Sequence, residues 1–214
     1  APLPIRQEYK EPEPTEFDAM KDTLKAGIKV VPAPQLFPTP PDIVQKMISL
    51  ANLHKYPEQR ILEPSAGTGN ILEGLRPWIG TAEIVAVEIN LHLTDALRDR
   101  FREGIAFQCA DFLNFNGDLG KFDRIIMNPP FTMGEDIKHI QHARGMLNPG
   151  GRLVALCANG SRQRAAFMDE AEHWEDLPTG SFSAEGTGVN VALMVLVAPD
   201  ERKKERKQFE DGLF

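Results

Sequence analysis

The sequence predicts an open α/β domain on a mainly parallel sheet, with helices on both faces. Three observations carry this reading. Short apolar runs of β type alternate with helical stretches. One such run passes straight into a glycine loop that opens a helix, Leu62-Glu63-Pro64-Ser65-Ala66-Gly67-Thr68-Gly69-Asn70. Acidic residues close successive apolar runs, where ligands of such sheets bind. The composition agrees: 214 residues, 42% hydrophobic and 26% charged, exclude collagen, coiled coil and disorder throughout.

The elements follow in order. Residues 1–35 hold six prolines (Pro2, Pro4, Pro12, Pro14, Pro32 and Pro34) and little to bury, so they read as an arm. The body spans 36–199. Its first helix starts after Phe37-Pro38-Thr39-Pro40-Pro41, where prolines fix the entry, and Ile43, Val44, Met47, Ile48 and Ala51 form one apolar stripe. Strands are predicted at Arg60–Glu63, Ile84–Ile89, Ala106–Cys109, Phe122–Met127, Arg152–Ala158 and Val189–Ala198. Helices are predicted at Ile71–Trp78, Leu91–Arg102, Ile137–Leu147 and Arg162–Trp174. Ser181–Glu185 and Val189–Ala198, separated only by Gly186-Thr187-Gly188, predict an antiparallel hairpin at the sheet edge. From Asp200 to Phe214 charges alternate with almost nothing apolar, which predicts a solvated tail.

Composition narrows the function classes. No apolar run reaches the ~18 residues of a membrane span, the first residues lack a signal-peptide pattern, and the expected location is the cytoplasm. Cys109 and Cys157 form no CxxC pair, and His54, His92, His139, His142 and His173 have no metal-ligand spacing, so no metal is expected. Trp78 and Trp174 read as core edges. A net charge of −7 argues against tight duplex binding through phosphates alone, though not against brief contact.

The glycine loop lets a ligand approach bare backbone. It lacks the third glycine of a dinucleotide fingerprint, since Leu72 stands there, and it lacks the ending of a phosphate loop. Glu63 would repel a pyrophosphate but can face a cationic group. Glu88, closing Val85-Ala86-Val87-Glu88, is placed to take ribose hydroxyls. Asp111, in Cys109-Ala110-Asp111-Phe112, can accept from a purine amine, with Ile89 and Phe112 available to sandwich the ring. One ligand carrying an amine, a ribose and an adenine is S-adenosylmethionine. Ser65 lacks the setting of a hydrolase nucleophile.

The run Met127-Asn128-Pro129-Pro130-Phe131 closes the fourth strand. A planar amine is a poor nucleophile because its lone pair is delocalised. An Asn128 side-chain oxygen and a Pro129 carbonyl accepting from the NH₂ would turn that lone pair toward a methyl donor. Proline adds no competing N–H, and Phe131 offers a ring for stacking.

These residues resemble the class I S-adenosylmethionine-dependent methyltransferases, within them the amino-methyltransferases bearing an Asn/Asp-Pro-Pro-aromatic motif, and most of all the DNA N6-adenine enzymes. EPSAGTG at 63–69 looks like the family's first motif, VEIN at 87–90 its ribose acid, ADF at 110–112 its adenine acid and NPPF at 128–131 its catalytic motif. The resemblance covers about residues 36–199 and implies a Rossmann-like seven-stranded sheet with an antiparallel carboxy-terminal hairpin. It implies S-adenosylmethionine as cofactor and S-adenosylhomocysteine as product. It further implies that Phe37, Thr39, Glu63, Ser65, Ala66, Gly67, Gly69, Asn70, Glu88, Ile89, Asp111, Phe112 and Asn128 bind the cofactor, with Asn128, Pro129, Pro130 and Phe131 holding the acceptor.

The first acceptor expected is adenine N6 of DNA, flipped out where duplex or presented in a single strand. The chain departs from the usual DNA enzyme in having no sizeable target-recognition domain, which leaves room for a recognition partner; its oligomeric state stays open. Glutamine amides of protein, RNA adenine, and a silent cofactor-binding module beside an active subunit are the alternatives. Arg144, Arg152, Arg162, Arg164 and the tail residues Lys203, Lys204, Arg206 and Lys207 are the cations that could meet phosphates. Arg162 and Arg164 follow the fifth strand and stand nearest the expected acceptor mouth.

Overall fold

The computed structural model describes residues 37–53, 58–115, 118–182 and 188–200. The predicted arm, Lys203 to Lys207 and residues 183–185 of the predicted hairpin lie outside them. The elements in chain order are α1 (Pro41–Ala51), β1 (Arg60–Glu63), α2 (Asn70–Gly74), β2 (Glu83–Glu88), α3 (Leu91–Phe101) and β3 (Ile105–Cys109), then β4 (Phe122–Met127), α4 (Glu135–Arg144), β5 (Leu147–Ala158), α5 (Ser161–Phe167), β6 (His173–Asp176) and β7 (Val191–Val197). Short 3₁₀ turns occupy Arg76–Trp78 and Thr132–Gly134.

The strands form one seven-stranded sheet in the order β3-β2-β1-β4-β5-β7-β6. β7 runs antiparallel to both neighbours and the other pairings are parallel, as expected. The order reverses between β1 and β4, so a crevice opens at the carboxyl ends of these strands. Side chains alternate across the sheet and build two cores. Ile61, Ile84, Ile126, Val154 and Leu193 face α1 on one side; Leu62, Val85, Ile125, Leu153 and Met194 face the other. At roughly 25 cal/mol per Å² of apolar surface removed from water, these faces supply the main drive to fold.

α1 is seated by chemistry as well as by its apolar stripe. Pro41 stands at its first position, where the missing N–H is harmless. At its other end Arg124 Nε of β4 donates to the Ala51 carbonyl at 2.7 Å and Arg152 Nε of β5 to that of Leu50 at 2.9 Å. Carbonyls that the helix leaves unpaired are thereby satisfied from the sheet. The residues just before α1 are thus held above the crevice.

Four predicted elements are corrected. The helix read over Ile71–Trp78 stops at Gly74, where a Cβ would lie 2.5 Å from Val44 Cγ1, and Pro77 starts a separate turn. β5 begins at Leu147 rather than Arg152, because Leu147 pairs with Phe122 across an irregular register step. The helix read over Arg162–Trp174 ends at Phe167, and β7 takes its edge partner from His173–Asp176 rather than Ser181–Glu185. Ser181 and Phe182 lie in a turn. No helix among the described residues is long and apolar enough to cross a membrane.

Candidate active site

Four strand ends deliver the predicted residues to the crevice. Glu63 is the last residue of β1, Glu88 the last of β2, Asp111 follows β3, and Asn128 directly follows β4. In register Glu63 pairs with Ala86 and Glu88 with Cys109, so the Glu63 carboxylate is set deeper than that of Glu88.

The loop between β1 and α2 is braced from both sides. Ala66 N–H donates to the Val87 carbonyl at 3.0 Å and Gly69 N–H to that of Ala66 at 2.8 Å. Gly69 has φ 82 and leaves only 2.5 Å between an added Cβ and Leu97 Cδ2, so any other residue is strained there and must displace Leu97. The Glu88 carboxylate accepts from Gly67 N–H at 2.7 Å and Asn90 N–H at 2.8 Å. One carboxylate therefore ties the loop to the end of β2, and each oxygen keeps lone-pair capacity for a hydroxyl.

Glu63 is different. It is 1% exposed, and its Oε2 has no hydrogen-bond partner among the described residues. Burial, and secondly the nearby Glu88 charge, hold its carboxyl well above the usual carboxylate range. A buried acid left this way has a strong demand for a donor, above all a cationic one.

Asp111 and Phe112 sit less openly than the sequence suggests, whereas Ile89 stands open. The Asp111 carboxylate accepts from Leu113 N–H at 3.0 Å and Asn114 Nδ2 at 2.6 Å, which fixes the turn after β3. Ile89 is 67% exposed and presents an apolar surface beside Glu88. Phe112 is buried against His139 and His142, with ring centroids 5.8 and 4.7 Å away, rather than standing free opposite Ile89. Burial holds the His139 imidazole below its usual range, despite acidic neighbours.

The segment ahead of α1 joins the two halves of the crevice. Asn128 Nδ2 donates to the Phe37 carbonyl at 3.0 Å and to Thr39 Oγ1 at 3.1 Å. The Phe37 carbonyl can only accept, so the amide nitrogen must face it and Oδ1 must face away. The Thr39 carbonyl in turn accepts from Asn70 Nδ2 at 2.9 Å, and Asn70 Oδ1 accepts from Thr68 Oγ1 at 3.1 Å. Thr39 is 3% exposed and strapped between the glycine loop and the Asn-Pro-Pro-Phe motif. Sequence reasoning assigned Thr39 to the cofactor and missed this bridge. The prolines on either side of Thr39, which cannot donate, were the available signal.

Pro129 and Phe131 are buried, the latter within the core facing α1, and Pro130 is half-buried. Beyond them Asp136, fully buried on α4, accepts from Ala158 N–H at 2.9 Å and Gln163 Nε2 at 3.0 Å, which locks α5 to the end of β5. This lock was also not legible in the sequence. Of the predicted phosphate contacts, Arg144 pairs with Glu170, Arg152 with Glu172 at 2.6 Å and Arg164 with Asp176 at 2.6 Å.

Residues 61–151 match the family described as Methyltransferase domain. The chain is 35% identical over 105 residues to a type II methyltransferase, M.CvrRI, of Paramecium bursaria Chlorella virus XZ-6E, covering 49% of this chain and 26% of that protein. It is 30% identical over 96 residues to a probable ribosomal RNA small subunit methyltransferase A of Methanosarcina mazei, covering 44% of this chain and 33% of that protein. The chain thus spans no more than a third of either relative. The N-methyltransferase NodS of Bradyrhizobium japonicum, solved with S-adenosylhomocysteine, superposes with a TM-score of 0.59 at 17% identity, over 84% of this chain and 98% of that one.

Residues 61–151 thus resemble a methyltransferase domain, and the sheet has the class I, Rossmann-like fold. S-adenosylmethionine is the cofactor of that class, and the site's chemistry fits it: the orphaned buried Glu63 oxygen suits its amine, Glu88 its ribose and the exposed face of Ile89 its purine.

Proposed function

We propose that this chain methylates a planar exocyclic amine, with adenine N6 of DNA as the acceptor. The observation that carries the reading is the fixed amide of Asn128: two bonds from its nitrogen, to Phe37 and Thr39, aim Oδ1 at whatever enters the crevice. When bound, S-adenosylmethionine supplies a methyl group made electrophilic by its sulfonium, with S-adenosylhomocysteine as the product.

The chain's own residues do the rest. Gly67, Gly69 and their neighbours Ser65 and Ala66 admit the methionine end to bare backbone, and Glu63 takes its amine. Glu88 holds the ribose; the exposed Ile89 and the turn at Asp111 border the adenine, and Phe112 backs that turn from the core. Asn128 Oδ1 and the Pro129 carbonyl accept from the acceptor NH₂ and turn its lone pair toward the donor. Pro130 and Phe131 form the wall behind them. Such fixed acceptors act without reorganising during transfer, and one is worth about 10²–10³ in rate; alignment of donor and acceptor supplies much of the remainder.

Two features favour nucleic acid. The viral relative is a type II methyltransferase, and phenylalanine rather than tyrosine follows the prolines. The ribosomal RNA relative supports RNA adenine as the second reading. With a net charge of −7, a single-stranded substrate or a recognition partner suits this chain best. The test is transfer of labelled methyl groups to single-stranded DNA, duplex DNA, RNA and a protein lysate. Label recovered as N6-methyladenine in DNA is expected. Label on RNA alone moves the acceptor to RNA, and label on protein glutamine alone overturns the nucleic-acid reading.

A further inference from the structure

The two residues that follow Phe131 by one turn are built unlike their surroundings. Met133 is 86% exposed with φ 52, a left-handed conformation that a non-glycine residue keeps only where the surroundings enforce it. Gly134 follows with φ 80, and the Arg162 guanidinium lies along it. A Cβ on Gly134 would stand 3.4 Å from Arg162 Nη1 and 3.7 Å from its Cζ, at ordinary contact distance, so the guanidinium packs directly beside this turn. The neighbouring Gln163 is bonded to buried Asp136, which fixes the turn of α5 that delivers Arg162 there. Arg144, Arg152 and Arg164 are each paired with a carboxylate. No ion pair holds Arg162 among the described residues. An apolar side chain pushed into solvent and an unneutralised cation therefore stand together immediately after the acceptor motif.

We propose that Met133 and Arg162 form the grip on a single nucleic-acid strand, Met133 filling the base step beside the adenine drawn into the site and Arg162 holding the adjoining phosphate. The inference rests on the nucleic-acid reading above. A base taken out of its stack leaves an apolar gap that an unbranched side chain can fill. Guanidinium matches phosphate geometry and anchors the strand without reading sequence. With a net charge of −7 the chain offers this contact locally instead of along a long basic track.

The experiment measures binding of a fluorescent, adenine-containing single-stranded oligodeoxynucleotide by anisotropy across a salt series, with S-adenosylhomocysteine present. Methyl transfer to the same strand is followed in parallel. Arg162→Ala is expected to weaken binding about tenfold and to lower the salt slope by about 0.7, the share of one phosphate contact on a single strand; Arg162→Lys keeps the slope. Met133→Ala is expected to weaken binding about threefold to fivefold with the slope unchanged, through loss of the wedge. Arg164→Ala changes neither. Met133→Gly, which relieves the left-handed strain, melts no lower than wild type and still binds weakly, which separates the contact from folding. Unchanged affinity and slope in both Arg162→Ala and Met133→Ala, with transfer to the strand intact in wild type, overturn the grip and leave the function standing. Absence of any transfer to nucleic acid by wild type overturns the function, and the grip with it.

Discussion

The two halves of the crevice are held in different ways. On the proposed cofactor side, β1 to β3, the loop is pinned by main-chain bonds to Val87 and Ala66 and by the Glu88 carboxylate, and a larger residue at Gly69 would be strained and press on Leu97. On the acceptor side, after β4, the key side chain Asn128 hangs from a single strap, Phe37 to Thr39, and the turn beyond it keeps Met133 in a left-handed, exposed conformation. The contrast teaches that one half is preorganised for a ligand of fixed shape. The other keeps one atom fixed and leaves the rest open to a larger partner.

The comparison can be broken at points of decreasing effect. Glu88→Ala removes the acceptor for Gly67 and Asn90 along with the proposed ribose partner. S-adenosylhomocysteine affinity should fall about thirtyfold by calorimetry, in line with a charged hydrogen-bonding group worth about 2 kcal/mol. An unchanged Kd would mean the loop needs no such tie.

Glu63 offers a sharper, pH-dependent test. Its carboxyl in the folded, cofactor-free protein titrates well above its ordinary value of 4.5, because burial and then Glu88 disfavour its charge. In the window between these values the folded state holds more protons than the unfolded one, so stability is highest below 4.5 and falls as pH rises through the raised value. Glu63→Gln removes that loss and should raise the melting temperature of the cofactor-free protein near neutral pH. The same variant should bind S-adenosylhomocysteine more weakly and should lack the proton release expected when wild type binds it. Proton release is read from calorimetry in buffers of different ionisation enthalpy.

A smaller effect is expected at the strap. Thr39→Val keeps the shape and the carbonyl bonded to Asn70 but removes the hydroxyl that accepts from Asn128. Turnover should fall about fivefold, the worth of one hydrogen bond of about 1 kcal/mol, at unchanged cofactor Kd. A rise in Kd without loss of turnover would place Thr39 wholly on the cofactor side. The least effect belongs to Arg164→Ala, whose exposed pair with Asp176 is screened by solvent, so thermal unfolding should be almost unchanged.

The same contrast governs how much the sequence reveals. β1 and β4 were legible to the residue, because both are buried strands bounded by a proline, and α1 was legible from its stripe. The acids and Asn128 were legible because strand ends converge wherever a parallel sheet reverses order. β6 was not: His-Trp-Glu-Asp has no apolar alternation, and only pairing with Ala192 to Val195 makes it a strand. The engaged state of Asp111, the burial of Phe112 and the Asp136 to Gln163 lock depend on contacts between distant elements. Spacing along the chain carries no trace of them.

The measurement that bears most directly on this account pairs labelled methyl transfer to single-stranded DNA with S-adenosylhomocysteine calorimetry, both on wild type and on Asn128→Ala. The account predicts N6-methyladenine from wild type, a loss of about 10²–10³ in rate for the variant and the same cofactor Kd for both. Equal transfer rates, or loss of cofactor binding together with transfer, would contradict it.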